Sequence, residues 1–406
     1  MMRIAIIDQP YCNRGDESAH KAFIRQLVKA FPDCSIDVFF RSPNNDANGE
    51  MNVHLQSVSY YNLNLGRFCN RIIRYTYFTH TTFLSYFYKP LRNFKKLIKN
   101  YDYIIGAPGG MNMGGFVDWL HLWFFETARR MGKPVLYWGR SIGPFYENNY
   151  QSKLFKKQST KLLKYFAFTA LRDSISVKCA DELGVKVEEI VDSAFLELPD
   201  AKVPENILKE IENTDYIVFV PNELTWHTRY KKVDPEKIDN FFLGVLELCL
   251  KHWPERKIVM LPQTYKSIIN DYSYFKKLAR KYGSKNIVVI DEDQNSDIQQ
   301  KIISQSKLVI GARYHSIIFS INNNIPFISL SYEHKMKGLL EKLGMTEYMV
   351  EIDDIFDKGH EDKFKYAIEK IEKIMLLEAK NIDRTIAMKI VSTGFEKMTN
   401  TLHSFK

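Results

Sequence analysis

The chain has 406 residues, 45% of them hydrophobic and 26% charged, with a formal net charge of +9. That length exceeds what one core usually supports, so two globular domains are expected. The positive balance favours phosphates, carboxylates, nucleic acid or an anionic membrane surface as partners. Five scattered cysteines (Cys12, Cys34, Cys69, Cys179, Cys249) without CxxC spacing argue against a disulfide framework or a zinc site, and fit a reducing cytoplasm.

The amino terminus, MMRIAIIDQP, carries a short apolar run cut at Asp8, which reads as a first strand rather than a signal peptide. No window reaches the roughly 20 apolar residues of a spanning helix, so a soluble or peripheral protein is expected. Asn13-Arg14-Gly15-Asp16-Glu17 follows and leads into a helix. There Gly15 permits a tight turn, and Asp16 either caps the helix or serves as an acid or base. The G-x-G-x-x-G pattern is missing, so this is no dinucleotide fingerprint.

Further strands are expected at Ile36–Phe40, Tyr103–Gly106, Val135–Trp138 and Phe166–Leu171. Between the first two, residues 67–99 interleave Phe68, Tyr75, Tyr77, Phe78, Phe83, Tyr86, Phe87 and Tyr88 with Arg67, Arg71, Arg74, Lys89, Arg92, Lys95, Lys96 and Lys99. Such a basic aromatic insertion suits an anionic bilayer, suits nucleic acid less, or buries its rings as an ordinary helical insertion. Gly106-Ala107-Pro108-Gly109-Gly110 lets backbone N–H groups approach a ligand, or simply makes a tight strand exit. No GK[ST] follows, which excludes a Walker A loop. Arg172, after the Phe166–Leu171 run, is a guanidinium at the carboxyl edge of this sheet, available to a ligand or to an internal carboxylate such as Asp173.

Leu196–Pro204 breaks the alternation with two prolines and marks the domain boundary, giving domains over 1–200 and 201–406. Second-half strands are expected at Tyr216–Val220, Ile258–Leu261, Ile287–Asp291, Leu308–Ile310 and Phe327–Leu330. Asn222, Trp226 and His227 follow the first of these and Gln263 follows the second. Amides beside a tryptophan suit a sugar, although each is also an ordinary loop residue. Final helices over 376–406 are expected to pack back on the first domain. Short apolar runs between helices imply parallel strands covered on both faces, hence an α/β fold of two doubly wound Rossmann-like domains facing across a cleft.

The most informative stretch is Ser306 to Gly344. Arg313 and His315 directly follow the Leu308–Ile310 run, and Lys335 follows the next strand. This edge of an open α/β sheet is where ligands sit, and a helix start there favours an anion. A guanidinium grips carboxylate or phosphate through paired hydrogen bonds, and a histidine exchanges protons near neutral pH. There is no HExxH, no clustered metal-ligand set and no G-x-S-x-G elbow.

At these residues the chain resembles the polysaccharide pyruvyl transferase family. Gly311-Ala312-Arg313-Tyr314-His315 with Pro326, Tyr332 and Lys335 carries the resemblance. Asn13-x-Gly15-Asp16, Gly109-Gly110, Ile142-Gly143-Pro144, Arg172-Asp173 and Asp192-Ser193-Ala194-Phe195 support it. Ser193 stands where proline is expected, Pro108 precedes a shorter glycine run, and the 67–99 insertion has no counterpart.

The resemblance implies a glycosyltransferase-B-like fold and transfer of the enolpyruvyl group of phosphoenolpyruvate onto a sugar of a surface or capsular glycan, or its lipid-linked precursor, as a cyclic ketal. It implies catalytic roles for Arg172, Arg313 and His315. Lys335, Asn13, Asp16, Gly109, Gly110, Asn222 and Gln263 are expected to bind substrate. No metal, cofactor or nucleic acid is called for, the first domain is the acceptor side, and the expected location is the cytoplasm or the inner membrane face. The rival readings are a nucleotide-sugar transferase of the same architecture and a non-catalytic, membrane-associated glycan assembly protein.

Overall fold

The computed structural model describes every residue except 12, 42–51, 81–82, 213, 266–269, 292–293, 378–381 and 406. Cys12 and the side chain of Phe83 therefore lie outside the described residues. The chain divides into two compact units. One comprises Met1–Tyr11, Ala19–Leu196 and Met388–Lys406; the other comprises Cys12–Ser18 and Glu197–Ala387.

The first unit is built on β1 (Met2–Gln9), β2 (Cys34–Phe40), β3 (Val58–Asn62), β4 (Tyr103–Gly106), β5 (Gly109–Gly114), β6 (Val135–Gly143), β7 (Phe168–Leu171) and β8 (Glu188–Glu189). The order is β3-β2-β1-β4-β6-β7-β8, with β5 paired to β6, and every pairing is parallel. Ile4 to Ile7 are fully buried, as a strand covered by helices on both faces requires. The second unit carries β9 (Tyr216–Val220), β10 (Lys257–Met260), β11 (Ile287–Val289), β12 (Leu308–Gly311), β13 (Phe327–Ser331) and β14 (Met349–Glu351). Their order is β11-β10-β9-β12-β13-β14, again all parallel. In both sheets the chain winds outward from a central pair in opposite directions, β1 and β4 in one, β9 and β12 in the other.

Strands β3, β5, β8 and β14 were not expected. β3 is a half-buried edge strand and β8 is two glutamates long, so neither shows a continuous apolar run. β5 reads GGMNMG, a sequence that looks like loop and becomes strand because β6 offers it a parallel edge.

Residues 67–99 form three helices, Cys69–Thr79, Phe83–Phe87 and Lys89–Ile98. Cys69, Ile73, Tyr77, Leu91, Phe94 and Ile98 join the core of the first unit, and the Phe94 ring lies 5.3 Å from Trp123 and 4.8 Å from Phe124. The closing helix, Thr385–His403, returns to the first unit from Met388 onward. Its Phe395 meets Phe23 at 6.1 Å and Trp138 at 5.9 Å.

Candidate active site

The crevice at a doubly wound sheet's switch point, outside the carboxyl ends of the strands, is where ligands bind. In the second unit that point lies between β9 and β12. Asn222 follows β9, and Arg313 and His315 follow β12, so the residues singled out from sequence gather at one place in this unit.

Arg313 sits at the N-cap of the helix Tyr314–Asn322, with an extended backbone that turns its side chain out of the strand. Its guanidinium pairs with Asp271 and lies 5.7 Å over the Trp226 ring. Burial works against its charge, but Asp271 more than offsets this and holds the guanidinium above its ordinary pKa. Asp271 is fixed in turn by the backbone N–H groups of Gln263 and Thr264, each donating at 3.0 Å. Asp271 lies 42 residues before Arg313 in sequence, and only the fold shows it as the orienting carboxylate.

Gln263 is buried, and its backbone carbonyl accepts from the N–H of Arg14 at 2.8 Å. The Asn222 carboxamide oxygen accepts from Trp226 Nε1 at 3.0 Å and from the Leu224 N–H at 3.3 Å. Two buried donors of this group, Arg313 Nε and Gln263 Nε2, have no hydrogen-bond partner among the described residues. Burying a donor unmade costs stability, so a ligand oxygen at either atom removes that cost.

His315 is buried in the first turn of the same helix, edge-on to Tyr314 at 5.1 Å. Gly15 packs directly on its ring: a Cβ there would stand 1.8 Å from His315 Nδ1. The glycine is therefore needed for close approach to the histidine, and not for the tight turn expected from sequence. Helix capping is also reassigned. The Asn13 side chain accepts from the N–H of Gly15 at 2.8 Å and of Asp16 at 3.4 Å, so Asn13 is the cap. Asp16 is half-buried in the first turn.

Two neighbours in that turn escaped sequence reading. Arg14 and Glu17 form a fully buried pair at 2.8 Å. Glu17 accepts from the Ser296 N–H at 2.9 Å and hydroxyl at 3.0 Å, while the Arg14 guanidinium stacks 3.7 Å over Tyr265. An R-x-x-E spacing on a helix is the signal that could have found them.

Lys335 is less open than expected. It pairs with Glu333 at 2.9 Å, with its ammonium 5.6 Å from the Tyr314 ring centroid. Burial raises the pKa of Glu333, but Lys335 and Tyr332 outweigh it and the net shift is downward. Burial, then Glu333, pushes the Tyr332 phenol far up, so it remains a proton donor. Burial lowers the pKa of His227.

In the first unit, Arg172 pairs with Asp192 at 2.7 Å and donates to Ser141 Oγ at 3.3 Å. The carboxylate beside it is thus Asp192, and Asp173 instead caps the following helix. Gly109 and Gly110 are the first residues of strand β5 and not part of a loop. A Cβ on Gly109 would meet Pro10 at 2.7 Å, so close packing explains it. Ser193 accepts from Trp138 Nε1 at 2.9 Å, a partner that proline cannot provide.

The switch point of this unit, between β1 and β4, holds a cluster absent from the sequence expectations. Asp8, at a left-handed φ of 64°, pairs with Arg41 and with His121, and Arg41 pairs with Asp118 at 2.6 Å. Arg140 donates to the Asp8 carbonyl and to Asn112 Oδ1, each at 2.5 Å. Arg41, Asn112 and Asp118 open onto a cleft of about 620 Å³ that also involves Asn70, Arg74 and Gln151. Among the described residues no group of three or more His, Cys, Asp or Glu could hold a metal ion. No helix of these residues is long and apolar enough to cross a membrane.

The fold is shared with solved structures at low identity. UDP-GlcNAc 2-epimerase from Methanocaldococcus jannaschii matches with a TM-score of 0.59 and 11% identity, over 97% of this chain and all of that one. The trehalose-6-phosphate synthase OtsA matches with a TM-score of 0.55 and 13% identity, over 99% and 98%. These are enzymes of the glycosyltransferase-B type, and the likeness establishes that α/β architecture for this protein. In sequence, the amylovoran biosynthesis protein AmsJ of Erwinia amylovora is 23% identical over 94% of this chain and 96% of its own length. The family model for polysaccharide pyruvyl transferase matches residues 13–334, a span that runs from the Asn13 cap through Arg313 and His315 to the helix start at His334. The chain belongs to the polysaccharide pyruvyl transferase family.

Proposed function

We propose that this protein transfers the pyruvyl group of phosphoenolpyruvate onto a saccharide of a surface or capsular glycan, or its lipid-linked precursor, as a cyclic ketal. The observation that carries the proposal is the pair of unpartnered buried donors, Arg313 Nε and Gln263 Nε2, at a helix start beside His315. A small dianionic or trianionic donor supplies the oxygens these atoms lack, and Asp271 keeps the guanidinium oriented without filling its Nε. The cleft bordered by Arg41, Asn112 and Asp118 has the volume and the carboxylate, amide and guanidinium lining of a saccharide acceptor site.

In the reaction, the donor's methylene carbon takes a proton and a sugar hydroxyl attacks the central carbon. Phosphate leaves, and a neighbouring hydroxyl closes the ring. One hydroxyl proton replaces the one placed on carbon, and the other leaves with phosphate. His315 moves these protons. Arg313 stabilises charge on the donor as it develops. No metal or cofactor takes part.

The test is the melting temperature with and without saturating phosphoenolpyruvate, in wild type and Arg313→Ala. A ligand that binds the folded state raises it. The wild type is expected to rise and the variant to stay level. A rise with a nucleoside diphosphate and none with phosphoenolpyruvate overturns the donor assignment.

A further inference from the structure

We infer that the three-helix insertion of the first unit docks the enzyme on an anionic lipid surface. No aspartate or glutamate occurs from Met51 to Tyr101, while eight lysines and arginines lie between Arg67 and Lys99. The whole chain carries only +9, so nearly all of its charge imbalance sits on this one segment. Among the described residues none of these eight cations forms an ion pair, whereas Arg41, Arg129, Arg140 and Arg172 elsewhere in the unit each have a carboxylate partner.

Their placement is regular. Arg71 and Arg74 are exposed on the outer side of Cys69–Thr79, with Arg67 exposed just ahead of it, while the other side buries Cys69, Ile73 and Tyr77. Lys89, Arg92, Lys96 and Lys99 make a second exposed stripe, opposite buried Leu91, Phe94 and Ile98. The inner faces are committed to the core, so the cationic faces are what remains for a partner.

Between and ahead of the stripes the insertion exposes apolar side chains. Phe68 is 57% exposed, Tyr86 61% and Phe87 69%, and Leu84 joins them. Water is a poor neighbour for these groups; the boundary between lipid headgroups and acyl chains is a good one. Cations in the headgroup layer with aromatic and aliphatic side chains beneath them describe peripheral membrane attachment. Nucleic acid fits less well, because Leu84 offers no ring for a base to stack on and Phe68, Tyr86 and Phe87 sit at helix ends. The choice of lipid over other polyanions rests also on the protein's place in glycan assembly.

Vesicle flotation tests this without donor or acceptor, so its failure and the failure of the transfer proposal are separate events. Vesicles of phosphatidylcholine alone are compared with vesicles containing about 30 mol% phosphatidylglycerol. The anionic vesicles are expected to carry roughly tenfold more protein, and the excess to vanish between about 0.1 M and about 0.5 M salt. Two exposed sets, Tyr86→Ser with Phe87→Ser and Arg71→Gln with Arg92→Gln and Lys96→Gln, should each abolish the excess at an unchanged melting temperature. Equal binding to neutral vesicles, or none to either, overturns the proposal. So does tighter binding to a single-stranded oligonucleotide that the same substitutions weaken.

Discussion

Gly15 leaves no room for a side chain beside His315. Any side chain at position 15 must displace the imidazole, because its first carbon falls 1.8 Å from Nδ1. Gly15→Ala is therefore expected to cut turnover on a saccharide acceptor by a factor comparable to losing the histidine, about 10²–10⁴. His315→Ala should lose the same factor while keeping much of the donor-induced rise in melting temperature, since Arg313 and Gln263 remain. Steady-state rates with parallel thermal shifts check both. Full activity in Gly15→Ala would show that the imidazole position is not critical.

At the scale of an element, the helix opening at Arg14 is anchored by charge as well as by packing. Its first turn places the Arg14–Glu17 pair against Ser296, the first residue of the helix Ser296–Ser304. Removing one partner of a buried pair leaves the other charge poorly compensated, which typically costs roughly 3–5 kcal/mol. Glu17→Ala is thus expected to destabilise the protein by that amount and to loosen Gly15 from His315. Urea unfolding checks the first consequence, and a fall in acceptor turnover larger than the loss of folded protein checks the second. A variant as stable as wild type would mean that the first turn is held by its neighbours alone.

For the molecule as a whole, two buried histidines set the response to acid. Burial lowers the pKa of His121 from 6.5 to about 4, although Asp8 pulls the other way, and burial with Lys21 and Arg25 lowers that of His20 to about 3. Both rings are neutral in the folded protein, while the unfolded chain takes up protons near 6.5. Their contribution is complete above pH 6.5 and is lost as pH falls towards 4, at about 1.4 kcal/mol per histidine per pH unit. Asp8, held well below its ordinary 3.8 by Arg41 and His121 against the cost of burial, adds to the loss only below that value. Stability from pH 7 to pH 4.5 should therefore fall steeply, and His121→Gln should flatten the slope. A level wild-type profile across this window would contradict neutral burial of both rings.

Local sequence carried much of the architecture and the strand-end positions of the candidate site residues. Uninterrupted runs such as Ile4–Ile7 and Val309–Ile310 announce buried parallel strands because helices cover both faces of such a sheet, and the residue after a strand end is positioned by that strand alone. Arg313, His315, Asn222 and Gln263 were legible for this reason. Strand β5 was not, because glycines form a strand only when a neighbour supplies an edge. Tertiary structure alone decided which polar and charged groups meet: Asp271 with Arg313, Glu17 with Ser296, Asp8 with Arg41 and His121. It also placed residues 12–18 with the second unit while the strand before them belongs to the first. Such pairings join residues far apart in the chain. Periodicity and propensity act within a few residues, whereas the partner of a buried charge is chosen by which elements pack together.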